Sequence, residues 1–275
     1  MNRLIFSLYV EVPDDQFVDN VETNLNTKKQ MSDNYKKLID CKRHYANSIG
    51  VDFIMVEKYK DYYDEMKSKY PFLTTYNIIN FYKIYLLYKF SAEYDEILYL
   101  DFDVVPNTKE NFFEVWDLSK GVAVLNNNDK VLRMSQITEK TQTIRSPTSK
   151  YYNTQAMLLD IGMKTENDVI NTGIIGINKS NLYKLAYFNT FDQDMIKMTQ
   201  LKFDTSVFPK KIVDYFGYDN ETLFGVKLKQ NDVPVQWLDD KWHYFFDNWL
   251  FIPKDTKFIH TINKKFDIVW RNVNA

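Results

Sequence analysis

The sequence predicts an α/β protein, with a mixed and mostly parallel central sheet flanked by helices. Three observations predict it. Short apolar runs rich in Ile, Leu, Val and Tyr recur along the chain, at Leu4–Val12, Val51–Val56 and Glu96–Val105, and turn residues bound them. Between the first two lies a polar stretch, Asn24–Asn47, in which Tyr35, Leu38, Ile39 and Tyr45 are spaced for one buried helical face. Strand, helix, strand in that order is the pattern of a right-handed parallel unit. Finally, 45% of the 275 residues are hydrophobic, with twenty Phe and twenty Tyr, so a sizeable core can be buried and disorder is excluded.

Taken in order, Leu4–Val12 predicts the first strand, and Asn24–Asn47 a helix closed by Gly50 as a C-terminal cap. Val51–Val56 predicts the second strand. Asp61–Tyr70 predicts a short polar helix stopped by Pro71. Thr74–Phe90 predicts a long helix that is apolar nearly all round, through Ile78, Ile79, Phe81, Tyr82, Ile84, Tyr85, Leu87 and Tyr88, and therefore lies covered against the sheet. Lys83 is its odd residue. It either snorkels to solvent or reaches the phosphate or sugar end of a pocket at the mouth of the next strand. Asn111–Trp116 predicts a short amphipathic turn, and Val122–Leu125 a strand. Residues 130–155 are polar without a firm period and contain Arg145 and Pro147, which predicts a mobile loop or lid. Asn171–Asn178 predicts a strand whose glycines, Gly173 and Gly176, mark places where something approaches closely. A helix at Asn181–Asn189, a Trp- and Tyr-rich segment at Val235–Trp249 and a last strand at Lys257–His260 complete the chain. No repeat, low-complexity tract or linker divides it, so a single domain over residues 1–275 is expected.

Composition excludes several classes. A formal net charge of −2 leaves no basic excess for a nucleic-acid partner. The single Cys41 permits no intramolecular disulfide, fits a reducing compartment and reads as a small, partly buried side chain. The N-terminal run is interrupted by Glu11 and followed by no small-residue cleavage site, so it reads as a strand and not a signal peptide. No run approaches a membrane span. A cytoplasmic protein is therefore expected. With seven glycines, neither G-x-G-x-x-G nor a P-loop occurs, and any phosphate must be held by metal and side chains.

The stretch Glu96–Val105 carries the strongest chemical signal. It is an apolar run ending in Asp101-Phe102-Asp103, stopped by Pro106 and Asn107. On a strand, Asp101 and Asp103 point to one face and Phe102 to the other. Two carboxylates on one face at the end of a core strand repel each other and resist burial. A hard divalent cation, Mn²⁺ or Mg²⁺, relieves both problems and leaves positions for substrate phosphates. The first strand ends in Ser7-Leu8-Tyr9-Val10. Tyr9 reads either as a wall of a nucleotide pocket, near a base, or as a core tyrosine. Of the three histidines, His44 on a polar helix is expected to be exposed. His243, between Trp242 and Tyr244, reads as core or as acceptor wall. Asp219-Asn220-Glu221 reads from its residues as a helix N-cap with an acidic first turn. Among Trp237, Trp242, Tyr244, Phe245, Phe246 and Trp249, most rings are expected in the core, and some are candidates to stack on a sugar acceptor.

From Thr74 onward these motifs resemble the family 8 retaining glycosyltransferases. Phe81-Tyr82-Lys83-Ile84-Tyr85 leads to Leu100-Asp101-Phe102-Asp103 and then to Phe113-Glu114-Val115-Trp116, in the family's order. Asn171-Thr172-Gly173 resembles its Asn-Ala-Gly strand, and Asp219-Asn220-Glu221 its Asp-Gln-Asp motif with two changes. His260, Lys264 or Lys265, and Trp270 resemble its C-terminal His, Lys and Trp. The resemblance implies a GT-A fold, which is a Rossmann-like mixed sheet. It divides into a nucleotide-binding half over 1–105 and an acceptor-binding half over 106–275. It implies Asp101, Asp103 and His260 as metal ligands. Lys83, Phe102, Asn171, Thr172, Lys264 and Lys265 would hold the donor, and Asp219, Asn220 and Glu221 would surround the transferred sugar; Leu8 and Tyr9 join the donor-holding group from the reading of the first strand, since the N-terminal quarter departs from the family pattern. The implied reaction moves a hexose from a nucleotide diphosphate sugar, a UDP-sugar in this reading, to a glycan or other hydroxyl acceptor with retention. A homodimer is left open. Two rival readings stand beside it. A sugar-phosphate nucleotidyltransferase normally needs a Gly-rich first strand, which Phe6–Pro13 lacks. The other is an inactive sugar-binding module on the same scaffold.

Overall fold

A computed structural model describes residues 1–13, 21–137, 146–203, 217–247 and 251–273. In chain order the first half contains β1 (Arg3–Leu8), α1 (Val21–Ser48), β2 (Asp52–Val56), α2 (Lys60–Lys69), α3 (Thr75–Phe90), β3 (Glu96–Leu100), β4 (Val104–Pro106), α4 (Phe112–Val115) and β5 (Val122–Asn126). The second half contains α5 (Ser146–Asp160), β6 (Ile170–Asn178), α6 (Lys179–Leu185), α7 (Phe191–Phe203), α8 (Asn220–Gln230), β7 (Val235–Trp237), β8 (Tyr244–Phe246), β9 (Phe258–Thr261) and α9 (Phe266–Asn272).

The principal sheet has six strands in the order β2-β1-β3-β6-β5-β7. β1 runs parallel to both β2 and β3, and β5 runs parallel to β7. Only β6 is antiparallel to its neighbours. All five residues of β3 are buried, and five of the six in β1. Such strands lack hydrophobic alternation because helices cover both faces of the sheet. α3 is one cover. It starts at a capping box between Thr74 and Asn77. Ile78, Phe81, Ile84 and Leu87 on it are fully buried, each such side chain contributing about 1.5–3 kcal/mol. α1 ends as expected, with Gly50 at φ +70°, a conformation that suits glycine.

Three differences from the sequence reading bear on the site. The first strand ends at Leu8, because its partner β2 ends at Val56, opposite Leu8. Tyr9 and the residues beyond are thus released toward the mouth of the sheet. The Glu96–Val105 run is two strands rather than one. β3 stops at Leu100, Asp101–Asp103 turn with Val104 N–H donating to Asp101 C=O at 3.0 Å, and β4 joins a second sheet ordered β4-β9-β8. The two aspartates therefore share a site through a turn, not through strand alternation. Finally, much of the expected 130–155 loop is helix. Residues 138–145 lie outside the described residues, and α5 begins at Ser146. Its buried residues are Thr148, Ser149, Tyr152, Asn153, Thr154, Ala156, Met157 and Leu158, half of them polar and hence invisible as an apolar stripe. Among the described residues, no helix is long and apolar enough to cross a membrane.

Candidate active site

The strand ends and the helices around them enclose a cavity of about 440 Å³. Asp101 and Asp103 enter it from the β3–β4 turn, and His260 from β9. β4 and β9 place His260 directly opposite Val104. The three side chains offer ligand atoms that lie within 4.8 Å of one another. His260 Nε2 stands 3.4 Å from Asp103 Oδ1 and 3.8 Å from Asp101 Oδ2. Neighbouring ligands of an octahedral cation stand about 3 Å apart, so small adjustments close the shell. Two carboxylates and one imidazole suit Mn²⁺ or Mg²⁺. The ring is turned the right way, because His260 Nδ1 is taken up by His243 Nε2 at 2.9 Å. The residues present thus fit a divalent cation.

Cations already face both carboxylates. Lys264 Nζ pairs with Asp103. Burial would raise the Asp103 pKa, but Lys264 and His260 outweigh it and hold the carboxyl well below the usual range. Lys83 Nζ, only 3% exposed, lies 3.4 Å from Asp101 Oδ1 and over the Tyr99 ring. It therefore reaches inward, and the snorkelling alternative does not hold. The Tyr99 hydroxyl also donates to Asp101 Oδ1. Below the turn, the fully buried Lys42 donates to Phe102 C=O at 2.7 Å and to Leu38 C=O at 3.1 Å. Burial pushes its pKa down. Phe102 lines the same cavity, its ring packed at a tilt against Tyr9 with centroids 4.5 Å apart. Tyr9 and Leu8 line the cavity on this side.

These observations converge with a comparison across protein families. The model of glycosyl transferase family 8 matches residues 16–269. The chain belongs to glycosyl transferase family 8. It is a glycosyltransferase, and its mixed sheet between helices is the GT-A fold. The family match reaches well before Thr74, into a part of the chain where the motifs are faint. No curated protein matches the chain. Among solved structures, a glycosyltransferase involved in the glycosylation of the major capsid of PBCV-1 shares 13% identity. The alignment covers 99% of both chains at a TM-score of 0.48. An active-site mutant of LgtC shares 12%, over 94% of this chain and 87% of that one, at 0.47. Mouse xyloside xylosyltransferase 1 shares 9%, over 95% and 98%, at 0.47.

The far wall of the family 8 cavity is built by β6, α5 and α8. Asn171 lines it, and its Oδ1 accepts from Gly173 N–H. Thr172 does not reach the cavity. Alternation along β6 turns it away, and its N–H and hydroxyl donate to Glu221 Oε1 at 2.7 and 3.0 Å. Asp219 is the N-cap of α8, accepting from Thr222 N–H, while Asn220 and Glu221 line the cavity. Lys150, from α5, pairs with Glu221 and stands 3.9 Å from Asp219. Burial would raise the Glu221 pKa, but Lys150 and Lys83 override it and keep the carboxylate charged. Lys265 is exposed and caps α9, so Lys264 alone of the two lysines enters the site. His243 is buried beside His260 rather than on an acceptor wall, and His44 is exposed. Burial, then the proximity of His260, holds His243 well below the usual imidazole range, so it is neutral. Trp242 and Phe246 are core, Trp237 is partly exposed, and Trp249 lies outside the described residues. Lys150, Lys42 and the His243 contact are missing from the sequence reading. No local signal marks any of them, because each acquires its role from a distant element.

Proposed function

We infer that the enzyme transfers a hexose from a nucleoside diphosphate sugar, a UDP-sugar in the first instance, to a hydroxyl of a glycan or glycoconjugate, with retention and with a divalent cation. One observation carries this reading: Asp101, Asp103 and His260 converge on one point of a cavity that Lys83, Lys264 and Glu221 also enter. Asp101, Asp103 and His260 would hold Mn²⁺ or Mg²⁺, which supplies neutralisation of charge on the departing diphosphate. Lys83 and Lys264 are placed to add fixed positive charge beside it, at no reorganisation cost during reaction. Tyr9, packed on Phe102, offers a ring face for the base. Asn171 and Asn220 supply amide groups for the sugar hydroxyls. The two halves of the chain, 1–105 and 106–275, thus contribute donor-holding and sugar- and acceptor-holding groups respectively, with Lys264 and His260 reaching back from the second to the first.

A double displacement needs a free carboxylate beneath the sugar ring. Glu221 is the candidate in the cavity, yet Thr172 occupies one of its oxygens and Lys150 the other. Asp219 is engaged as a cap. This favours a front-side transfer. The anomeric C–O bond to diphosphate breaks, the acceptor oxygen bonds to the same face, and its proton passes to the departing phosphate oxygen.

The test is a thermal-shift screen of nucleotide sugars with and without Mn²⁺, on wild type and Asp103→Asn, followed by detection of released nucleoside diphosphate. Metal-dependent stabilisation by one nucleotide class, lost in the variant, is the expected result. Equal stabilisation of the variant would sink the metal reading. Absence of any nucleotide effect would favour a sugar-binding module.

A further inference from the structure

His243 is 1% exposed, and among the described residues the only hydrogen bond of its side chain is to His260. Its Nε2 lies 2.9 Å from His260 Nδ1, and the two rings are tilted by 30°. The Phe245 ring packs on both, with centroids 5.0 and 5.3 Å away. On the other side of His243, Nδ1 is buried and has no partner among the described residues. A buried imidazole with one bond, spent on the ring that faces two carboxylates, has no evident use in the core alone.

We propose that His243 is the positioning residue of the site: it fixes the orientation of His260, and cation loading switches the two rings together between two tautomers. The inference rests on Asp101, Asp103 and His260 being the cation ligands. A neutral imidazole carries one N–H and one acceptor nitrogen. Only one hydrogen fits between the facing nitrogens, so a pair of neutral rings has two ordered states. In one, His243 Nε2–H donates to His260 Nδ1. The His260 proton is then on Nε2, where the Asp103 and Asp101 oxygens stand at 3.4 and 3.8 Å and attract it. In the other, His260 Nδ1–H donates to His243 Nε2, the His260 Nε2 lone pair faces the carboxylates, and the His243 proton is on Nδ1. Each ring keeps one proton in both states, so the switch changes no charge. A cation can use only the second state, because only there is a lone pair available at Nε2. Partners that hold a metal-binding imidazole in this way typically change metal affinity by 10–100-fold when removed.

The chain has three histidines, so the test is direct. The full chain labelled with ¹⁵N-histidine is observed by long-range ¹H–¹⁵N correlation, first in chelator and then with diamagnetic Mg²⁺. His44, exposed, serves as the free-imidazole reference. Both buried rings are expected to carry the proton on Nε2 in chelator and on Nδ1 with Mg²⁺. Unchanged tautomers on loading, or a loaded His243 protonated on Nε2, would overturn the proposal. Calorimetric titration with Mn²⁺ gives a second arm. His243→Gln keeps an oxygen acceptor for His260 Nδ1–H and is expected to bind Mn²⁺ within about threefold of wild type. His243→Phe removes the acceptor and is expected to lose tenfold or more. Equal affinity of the Phe variant and wild type would overturn the positioning role. If the Phe variant does not fold, the wild-type spectra decide alone. A wild type that binds no cation overturns the metal reading and this proposal with it; a cation bound with unchanged tautomers overturns only this one.

Discussion

Gly173→Ala is the most discriminating single substitution, because one methyl group is aimed at the His260 ring. A Cβ built on Gly173 would stand 2.4 Å from His260 Cε1, 2.8 Å from its Nδ1 and 2.9 Å from Asn171 Oδ1. Carbon atoms at rest are about 3.5–4.0 Å apart, so the ring must retreat by more than about 1 Å. The backbone at Gly173 is held in place, since its C=O accepts from Asp101 N–H at 2.7 Å and the β6 residues on either side of it pair with β3 and β5. Metal–ligand distances tolerate about 0.2 Å. The metal-free variant relieves the clash by swinging the imidazole out. Binding a cation must then force it back, at a cost of about 1–3 kcal/mol for overpacking, which is roughly 5- to 150-fold in affinity. Calorimetric titration with Mn²⁺ reads the effect. Gly225→Ala is the control. The same methyl there meets Thr154 at 3.6 Å and Asp168 C=O at 3.8 Å, ordinary contacts, and the position is inside α8. That change should leave Mn²⁺ binding alone and stabilise the fold by up to about 1 kcal/mol. Gly173→Ala binding Mn²⁺ within threefold of wild type would refute the argument.

Lys150→Met strands the Glu221 carboxylate. Losing one partner of a buried pair costs about 3–5 kcal/mol, and the partial exposure of Lys150 brings the expectation to about 2–3 kcal/mol at pH 7. The pH dependence should also reverse. In wild type the Glu221 pKa is lowered from its ordinary value of 4.5, despite burial, by Lys150 and Lys83, so its contribution is present above 4.5 and lost as pH falls through the folded value. Without Lys150, burial dominates and raises it, so the deficit of the variant should shrink between pH 7 and 5 in urea melts; a deficit constant with pH would contradict this. Lys83→Met keeps the apolar packing of α3 and should raise the donor KM at least tenfold with little change in Tm, whereas an unchanged KM would return Lys83 to a purely structural role. Tyr9→Ala removes the ring packed on Phe102 and should weaken nucleotide binding by about 1–3 kcal/mol, the scale of a base–aromatic contact; equal affinity would place the base elsewhere.

Local pattern carried much of this molecule. The buried strands, the apolar α3, the capped α8 and the Asp101/Asp103 pair all announce themselves within a few residues, because the periodicity or the turn chemistry that builds them is local. His260 was legible only through its order after the other motifs. Lys150 was not legible, since the buried face of α5 is half Thr, Ser and Asn and offers no stripe. Lys42 sits on a helix of mostly polar residues, and its burial follows from β4 and the Phe102 carbonyl closing over it, sixty positions on. The break between β3 and β4 was hidden for a related reason. Both strands are continuously apolar, and what separates them is the sheet that each one joins.

That division has a consequence for how the enzyme is made. His260 lies 157 positions after Asp103 (260 − 103), and the two meet only when β9 pairs with β4. Contacts so distant in sequence close slowly and late. A chain with the first three strands formed holds both aspartates but lacks the third ligand. On the proposed metal reading, affinity for the cation therefore arises at the end of folding rather than growing along the way. In a refolding experiment, Mn²⁺ capture should lag the recovery of helical signal.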